Sequence, residues 1–351
     1  MLGAMGHPDA YPNDPLAQMW ADEDEPSAPV RSGATAPPAT EGARPPLAAL
    51  LPGAANMWRT EELLDRGISA RHIIRLTAGG ALIKVRRGCY VRSSFWAAQD
   101  KVGVSRTRIE AYAHRTLTSS TGSYVFSHTT AARLHGLYLW EVDDRIHLTV
   151  PFLPSSGGHA GDVVPHTRAL PDADVVQLDG YRVTSLERTA ADSCLVLSYA
   201  QGLILMDHAL RLDAARQDLE RQCTQLRGVP GVGNLRKVLA HCDARSESPG
   251  ETLTRDLIRR LQLPAPVLHF EVRTRVGLFR LDCAWPERRV ALEFDGRRKY
   301  FDYAPTSEAV FQERRREKAL MELGWRVVRI EWRDLFRERE FKARLLQALE
   351  P

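Results

Sequence analysis

The sequence predicts a multi-domain α/β protein, with an N-terminal helix-turn-helix unit, an α+β middle region and a C-terminal α/β domain. Three observations lead to this fold class. The 351 residues are 44% hydrophobic and 26% charged, an ordinary globular composition with room for two or three domains. Residues 57–95 carry two short helical patterns followed by two short strands. Residues 279–295 alternate as two neighbouring strands that bear three carboxylates.

Residues 1–56 differ in composition from the rest of the chain. They are rich in Pro, Ala and Gly and carry about seven acids against two arginines. Such a segment buries too little apolar surface to offset its ordering entropy, so we expect a disordered tail. Met57 stands where the folded pattern begins, and translation that starts at Met57 is a hypothesis that the sequence leaves open.

Residues 57–95 predict a winged helix-turn-helix. Thr60 is the expected N-cap of the first helix, Ser69 opens the second, and strands at 81–86 and 89–91 form the hairpin. The candidate contacts to DNA phosphates and base edges are Arg71, His72, Arg75, Lys84, Arg86 and Arg87. The alternative is a small helical cap with a solvated basic face.

Charge is distributed unevenly, although the formal net charge of +4 is mild. Residues 57–110 carry eleven bases against five acids, and residues 251–351 carry twenty-two against seventeen. Two basic regions behind an acidic tail favour DNA as partner, although ordinary solvated helix faces would give similar counts. The five cysteines form no C-x-x-C pair, which indicates reduced thiols in a cytoplasmic protein. We expect no signal peptide, because no basic segment followed by an apolar stretch opens the sequence. We expect no membrane partner, because no apolar run approaches the ~18 residues that a membrane helix needs.

Residues 96–245 predict an α+β region with a weaker pattern. Helices are expected at 108–117, within 124–139, near 187–196 and 203–215, and once in 216–247; strands are expected at 146–150 and 181–184, and a loop at 151–161. The polar break at 243–247 is taken as a domain boundary, so that 246–351 forms the last domain.

Three histidines in the middle region, His128, His135 and His147, invite a metal or catalytic interpretation. Their spacing matches no metal motif, so we interpret them as structural or surface groups. Arg188 and Asp192 are four residues apart on a predicted helix, and this spacing predicts an ion pair.

The C-terminal strands predict a metal site. In residues 279–285 the apolar side chains would share one face and leave Asp282 on the other, while Glu293 and Asp295 share the polar face of the next strand. The apolar side chains of the first strand are Phe279, Leu281, Cys283 and Trp285. Three clustered carboxylates are costly unless neutralised, and Mg²⁺ (or Mn²⁺) would neutralise them. The alternative is a solvent-facing acidic edge paired with arginines.

Two further residues complete the candidate site. Glu251 follows Ser248 in an S-x-x-E pattern, so it is either an outer metal ligand or only part of a helix cap. Lys299 either orients a water that attacks a phosphate, steadies the negative charge that develops on that phosphate, or is an ordinary phosphate contact or solvated charge. Downstream, a helix at 307–323 presents a basic surface that includes Arg316.

Residues 246–351 resemble the very-short-patch-repair (Vsr-like) endonuclease branch of the PD-(D/E)XK superfamily. The matching residues are Leu281-Asp282, Ala291-Leu292-Glu293-Phe294-Asp295-Gly296, Lys299-Tyr300, Arg314 and Leu323-Gly324-Trp325-Arg326-Val327-Val328. The resemblance implies a restriction-endonuclease-like domain in which Glu251, Asp282 and Glu293 hold metal, with Asp295 assisting and Lys299 near the scissile phosphate. Asp295 stands where the superfamily has a lysine, so either Lys299 replaces that lysine or the site is altered.

Residues 57–95 are similar to the winged-helix domain of AbiEi-type antitoxins. The residues that carry the similarity are Leu63, Gly67, Ile68, Ser69, Arg71, Ile74, Leu76, Gly80, Leu82, Val85, Arg86, Arg87, Gly88 and Tyr90. In the middle region Ser127-His128-Thr129-Thr130-Ala131-Ala132, Leu134-His135-Gly136-Leu137, Thr184-Ser185, Arg188-Thr189 and Asp192 also resemble that family's longer members. The resemblance implies an antitoxin that represses its own operon and opposes a nucleotidyltransferase-like toxin.

Two hypotheses of different classes follow. The first is an enzyme, a Mg²⁺-dependent DNA endonuclease directed to its target by the winged helix. The second is a binding protein, an AbiEi-like antitoxin and transcriptional autorepressor whose inactive nuclease-like domain only grips nucleic acid.

Overall fold

The computed structural model describes Leu51 and residues 55–116, 124–151, 161–296 and 307–350. Within these residues the protein is a mixed α/β structure with three sheets. The helices are α1 (Thr60–Asp65), α2 (Ala70–Ala78), α3 (Ser93–Ala97), α4 (Lys101–Thr116), α5 (His128–Leu134), α6 (Leu186–Cys194), α7 (Tyr199–Arg211), α8 (Arg216–Gln225), α9 (Val232–His241), α10 (Pro249–Arg260), α11 (Ser307–Glu322), α12 (Trp332–Leu335) and α13 (Glu338–Leu349). The strands are β1 (Met57–Arg59), β2 (Leu82–Arg86), β3 (Cys89–Arg92), β4 (Val125–Phe126), β5 (Ile146–Thr149), β6 (Val163–His166), β7 (Val175–Leu178), β8 (Tyr181–Thr184), β9 (Val267–Thr274), β10 (Gly277–Trp285), β11 (Val290–Phe294) and β12 (Arg326–Ile330).

The first sheet is antiparallel, in the order β1-β3-β2, and contains the expected hairpin. Both expected helices precede the hairpin, and the Ser69 hydroxyl accepts from the backbone N–H of His72, as a cap should. The N-cap of α1 is Arg59 and not Thr60, because the Glu62 carboxylate accepts from the Arg59 N–H at 2.7 Å. Strand β1 was not predicted. The tail expected to be disordered lies outside the described residues, apart from Leu51 and residues 55–56.

The second sheet has the order β6-β5-β4-β8-β7, with β4–β8 and β5–β6 parallel and the other pairs antiparallel. The expected strands at 146–150 and 181–184 are confirmed as β5 and β8. Two helices, α8 and α9, stand where one was expected, and the short strands β4, β6 and β7 were not predicted. The loop expected at 151–161 lies outside the described residues except for its two end residues.

The third sheet has the order β12-β11-β10-β9, with only β11–β12 parallel. Successive side chains of β11 point to opposite faces of the sheet. Helices pack against both of these faces. Leu292 joins an apolar cluster with Leu257 of α10 and Phe341 of α13, whereas Ala291 joins a cluster with Leu320 of α11. Strand β9 was not predicted.

One prediction about the third sheet is wrong. Phe279 and Leu281 pack in the cluster of Ala291, whereas Cys283 and Trp285 pack in the cluster of Leu292, so the four side chains do not share a face. The physical reason lies in β9, where His269 has φ +53°, a left-handed conformation that is costly for a residue with a side chain. The β9–β10 pairing passes over His269 and Asp282, and the strands change faces there. Asp282 therefore lies at a bend.

The helix that opens the C-terminal region is bonded to the middle region. Asp207 of α7 accepts from Thr252 Oγ1 at 2.8 Å and from Arg255 Nη2 at 2.7 Å. The Tyr199 hydroxyl donates to Asp256 Oδ1 at 2.8 Å. These bonds cross the boundary expected at 243–247, and the division of the chain at residue 246 stays a prediction. In the part of the chain that the structure describes, no helix is long and apolar enough to cross a membrane.

Candidate functional site

Glu251 lies in the first turn of α10, which meets β11 through a very close contact. A Cβ at Gly250 would fall 2.0 Å from Cε1 of the Phe294 ring, so only glycine permits this approach. The Ser248 hydroxyl accepts from the Glu251 N–H at 3.2 Å and donates to Oε1 at 2.8 Å. The expected helix cap is confirmed, and it fixes the Glu251 carboxylate beside the sheet.

Asp282 and Glu293 lie on adjacent strands, next to the paired residues Cys283 and Leu292. The backbone N–H of Phe294 donates to Asp282 Oδ2 at 3.1 Å. Burial and the nearby Glu251 carboxylate raise the pKa of Asp282. Burial also raises the pKa of Glu293, against the opposing charge of Arg316 and with a further rise from Asp282. The structure therefore brings Glu251, Asp282 and Glu293 within electrostatic reach of one another.

Two cationic or potentially cationic side chains contact these acids, and sequence reasoning did not assign either to the site. Arg316 of α11 donates from Nη2 to Glu293 Oε1 at 2.5 Å. His269 Nε2 lies 3.5 Å from Glu251 Oε2. The sequence placed Arg316 on a basic helix surface, but its own helical face turns it inward from the exposed Arg314 and Arg315. His269 had no signal because β9 was not recognised.

Asp295 and Lys299 were also predicted to belong to the site, in addition to the three acids. Asp295 follows β11, is half-buried, and donates its backbone N–H to the Ile330 carbonyl at 2.8 Å. Its assisting role in catalysis stays a prediction. Lys299 lies outside the described residues, and its place near a scissile phosphate also stays a prediction.

The donor set suits a hard cation. Carboxylate oxygens are the ligands that Mg²⁺ and Mn²⁺ take, and two of these carboxylates have raised pKa values that a bound cation would lower. Among the described residues, no three of these acids place their oxygens within 4.8 Å of one another. A cation would have to draw the three oxygens together and compete with Arg316 for Glu293. The residues present fit such an ion on chemical grounds.

The predicted DNA-contacting residues of the N-terminal region divide into two groups. Arg71 and Arg75 of α2 and Lys84 and Arg87 of the hairpin are exposed, while His72 is half-buried. Arg86 is buried, and its guanidinium pairs with Asp162 and lies 5.1 Å from the centre of the Tyr112 ring. This guanidinium is less accessible than those of Arg71 and Arg75, and the assignment of Arg86 to the DNA-contacting set stays a prediction.

A separate cluster of histidines lies in the second sheet. One ring nitrogen from each of His128, His147 and His166 lies within 4.8 Å of the corresponding nitrogens of the other two. Strand pairing brings His128 and His147 together with a third histidine, and their interpretation as structural or surface groups stays a prediction. His135 lies elsewhere and bonds the Thr184 carbonyl at 2.8 Å. No local pattern in the sequence pointed to His166.

The ion pair expected between Arg188 and Asp192 is confirmed, with 2.8 Å between Nε and Oδ2. Both side chains are buried, and Arg188 also pairs with Asp174 at 3.1 Å. Burial raises the pKa of Asp192, although the charge of Arg188 opposes the rise. This network ties α6 to the turn before β7.

Comparison with known proteins gives relatives but no function. No protein-family model matches the chain. Over 214 residues, which cover 60% of this chain and 74% of each relative, it is 29% identical to the uncharacterized protein MT2308 of Mycobacterium tuberculosis (strain CDC 1551 / Oshkosh) and to the uncharacterized protein Rv2248 of strain ATCC 25618 / H37Rv. The crystal structure of the RV2827C protein from Mycobacterium tuberculosis superposes with a TM-score of 0.37 and 16% identity, covering 64% of this chain and 85% of that chain. A likeness this weak carries no argument.

Proposed function

We propose that residues 246–351 form a restriction-endonuclease-like domain that hydrolyses DNA phosphodiester bonds with a divalent metal ion. The observation that carries the proposal is the convergence of Glu251, Asp282 and Glu293 from one helix and two adjacent strands. Their order along the chain is the order of helix acid, strand acid and strand acid in the superfamily that the sequence resembles. A mixed sheet with helices on both faces further supports the assignment.

The chain's own residues would position the acids and the phosphate. A bound Mg²⁺ or Mn²⁺ supplies Lewis acidity and a more acidic water. The Phe294 N–H orients Asp282, and the contact of Gly250 with Phe294 holds Glu251 beside the strands. Arg316 supplies a positive charge next to Glu293, in a site where Asp295 replaces the superfamily's usual lysine. In this proposal Arg316 steadies charge on the phosphate once the acids bind metal.

Plasmid nicking by the full chain tests the proposal. We expect cleavage with Mg²⁺ or Mn²⁺ and a loss on the order of 100-fold or more in Asp282→Asn and Glu293→Gln. Glu322→Gln is the matched control, because this exposed acid pairs only with Arg275 among the ion pairs described and lies outside the site. The proposal fails if the wild type cuts neither double- nor single-stranded DNA with either metal, or if Asp282→Asn cuts as well as the wild type.

The second candidate function is that of a DNA-binding repressor of the antitoxin type. The observation that favours it is the exposed set of bases on α2 and the hairpin, Arg71, Arg75, Lys84 and Arg87. Ile74, between the two arginines of α2, is 69% exposed, so this face of the helix presents an apolar side chain together with its bases. In this proposal the winged helix binds the protein's own operator, and a nucleotidyltransferase-like toxin is the partner.

Footprinting at low salt on the protein's own promoter tests this second function. We expect salt-sensitive protection that is lost when Arg71 and Arg75 become Ala. Arg216→Ala, which removes an exposed arginine of α8, should leave protection unchanged. Protection by the double variant equal to that by the wild type, or no protection at all, would remove the candidate.

A further inference from the structure

The histidine cluster of the second sheet has no part in either proposed function. We propose that His128, His147 and His166 form a binding site for a divalent transition metal ion of the zinc type, with three imidazole ligands and one position open to water or substrate. One of the three ligands, His128, belongs to the Ser127-His128-Thr129-Thr130 stretch that the sequence analysis singled out.

The sheet itself assembles the three side chains. His128 begins α5 with only Ser127 between it and the end of β4, His147 lies in β5, and His166 ends β6. These three strands are neighbours. His147 Nδ1 and His166 Nε2 lie 3.0 Å apart. The His128 and His166 rings stack with centroids 3.6 Å apart. One nitrogen of each ring therefore lies in one small volume, within the 4.8 Å separation noted above. The nearly parallel His128 and His166 rings would turn on metal binding, so that both lone pairs point at the shared ion.

An unpartnered nitrogen points independently to a ligand. His128 is 1% exposed, and its Nδ1 bonds Ser127 Oγ at 2.9 Å. Its Nε2 is also buried and has no hydrogen-bond partner among the described residues. A buried polar atom left in this way is costly, and metal ligation through Nε2 would satisfy it while Nδ1 keeps its bond to Ser127.

Backbone strain gives a further reason to assign a function to His128. Its φ of +50° is left-handed, an uncommon and costly conformation for a residue with a side chain. A histidine that served only to fill the core would gain nothing from this conformation. The strained backbone fixes the ring at the start of α5, over the other two histidines.

The chemistry of the donors selects the class of metal. Imidazole nitrogen suits Zn²⁺, Co²⁺, Ni²⁺ and Cu²⁺, whereas Mg²⁺ and Ca²⁺ require oxygen. Burial keeps the imidazoles neutral near pH 7, the form that binds metal. Three protein ligands leave a coordination position free, as in zinc sites that bind a reacting water and unlike closed structural sites.

Cobalt binding to the full chain tests the inference. After removal of metal with a chelator, we expect one equivalent of Co²⁺ to bind with visible ligand-field bands that excess Mg²⁺ does not abolish. Affinity should fall at least 10-fold in His128→Gln and in His166→Gln. His208→Gln is the matched control, since His208 is also buried but lies outside the cluster. Asp282→Asn should bind Co²⁺ as the wild type does, which separates this site from the carboxylates.

Several results would overturn the inference. They are a wild type that binds no Co²⁺ or Zn²⁺ stoichiometrically, histidine variants that are folded and bind like the wild type, and binding that is lost in Asp282→Asn. If circular dichroism shows that the histidine variants are unfolded, X-ray absorption at the zinc edge of the wild type decides. Three imidazoles in the first coordination shell would support the site, and fewer than three would overturn it.

Discussion

The carboxylate cluster of the third sheet and the histidine cluster of the second sheet each gather three like groups, but they control charge differently. Each acid has a partner: Glu251 has Ser248, Asp282 has the Phe294 N–H, and Glu293 has Arg316. The histidines stack on one another and leave His128 Nε2 without a hydrogen-bond partner among the described residues. Each acid thus has a donor that offsets part of the cost of its charge, whereas the histidine cluster consists of imidazoles alone.

The difference gives the two clusters opposite pH dependences in the metal-free protein. The raised pKa values of Asp282 and Glu293 mean that the folded state favours their protonated forms, so these two acids contribute stability at low pH and lose it as pH rises through the raised pKa values. Lowered pKa values mean that the folded state favours neutral histidines, which contribute stability above their unfolded pKa and lose it as pH falls. The predictions below test each side of this contrast.

Gly250→Ala should have the largest effect of the variants considered, because it should displace Glu251 from the carboxylate cluster. The added Cβ would fall 2.0 Å from the Phe294 ring, so α10 and its Glu251 must move away from β11. We expect nuclease activity to fall on the order of 100-fold, because a displacement near 1 Å is enough to lose alignment. The free energy of unfolding should also fall by about 1–3 kcal/mol. Plasmid nicking and urea unfolding measure the two effects.

The control for Gly250→Ala is Gly233→Ala, a glycine of α9 where a Cβ meets nothing within 4 Å. Its activity should match that of the wild type. Full nicking activity in Gly250→Ala would mean that the close approach of α10 to β11 does not position the site.

His147→Gln should reduce the pH dependence that the histidine cluster gives to the free energy of unfolding. Burial lowers the pKa of His147 from 6.5 to about 4. The wild type should therefore lose on the order of 3 kcal/mol of unfolding free energy from this group as pH falls from above 6.5 through about 4. The variant should lose that much less over the same range. Urea unfolding of the metal-stripped chain at pH 7 and pH 4 measures the difference, and equal losses in both proteins would contradict the prediction.

Arg316→Met should show how strongly the acids depend on the protein's own cation. Without Arg316 the buried Glu293 keeps its charge with no close partner, and we expect a loss of about 2 kcal/mol at pH 7. The loss should shrink at low pH, where Glu293 takes up a proton. Arg314→Met, which removes an exposed arginine from the same helix, should change stability by less than about 0.5 kcal/mol. Equal effects of the two variants in urea unfolding would show that Arg316 does not stabilise the cluster.

Asp282→Asn should have the smallest effect on stability, and it should raise the free energy of unfolding. Burial and Glu251 disfavour the charge of Asp282, so a neutral amide removes that cost and still accepts from the Phe294 N–H. We expect a change within about 1 kcal/mol at pH 7. Melting curves measure it, and a marked destabilisation would contradict the idea that the folded chain tolerates this charge only for function.

The third sheet shows how much of a site local sequence can predict. The two strands that carry Asp282 and Glu293 follow from the pattern around one tight turn, and the helix cap at Glu251 follows from its own four residues. The faces of β10 do not follow, because the alternation breaks at Asp282. His269 could not be predicted, because its left-handed backbone is imposed by the way β9 and β10 pair. The change of faces at Asp282 has the same cause.

The second sheet shows where local sequence fails. His147 and His166 are 19 residues apart and meet because β5 and β6 lie parallel, a pairing that no local pattern specifies. The same limit applies to Arg86, which alternation places among the bases of the hairpin. Its partner Asp162 lies 76 residues further along the chain, beyond any local signal. Long-range pairing decides both outcomes.

The hydrogen bonds of α10 to Asp207 determine where the chain can be divided into fragments. A fragment that starts at residue 246 keeps Thr252 and Arg255 but loses the carboxylate that both of them contact. The cut also removes Tyr199 from Asp256 and leaves the buried Asp207 without Thr252 and Arg255, with the Asp243 N–H still bonded to it. The C-terminal region is therefore not a module that can be cut out or grafted at its apparent boundary. A transferable unit would have to begin before α7.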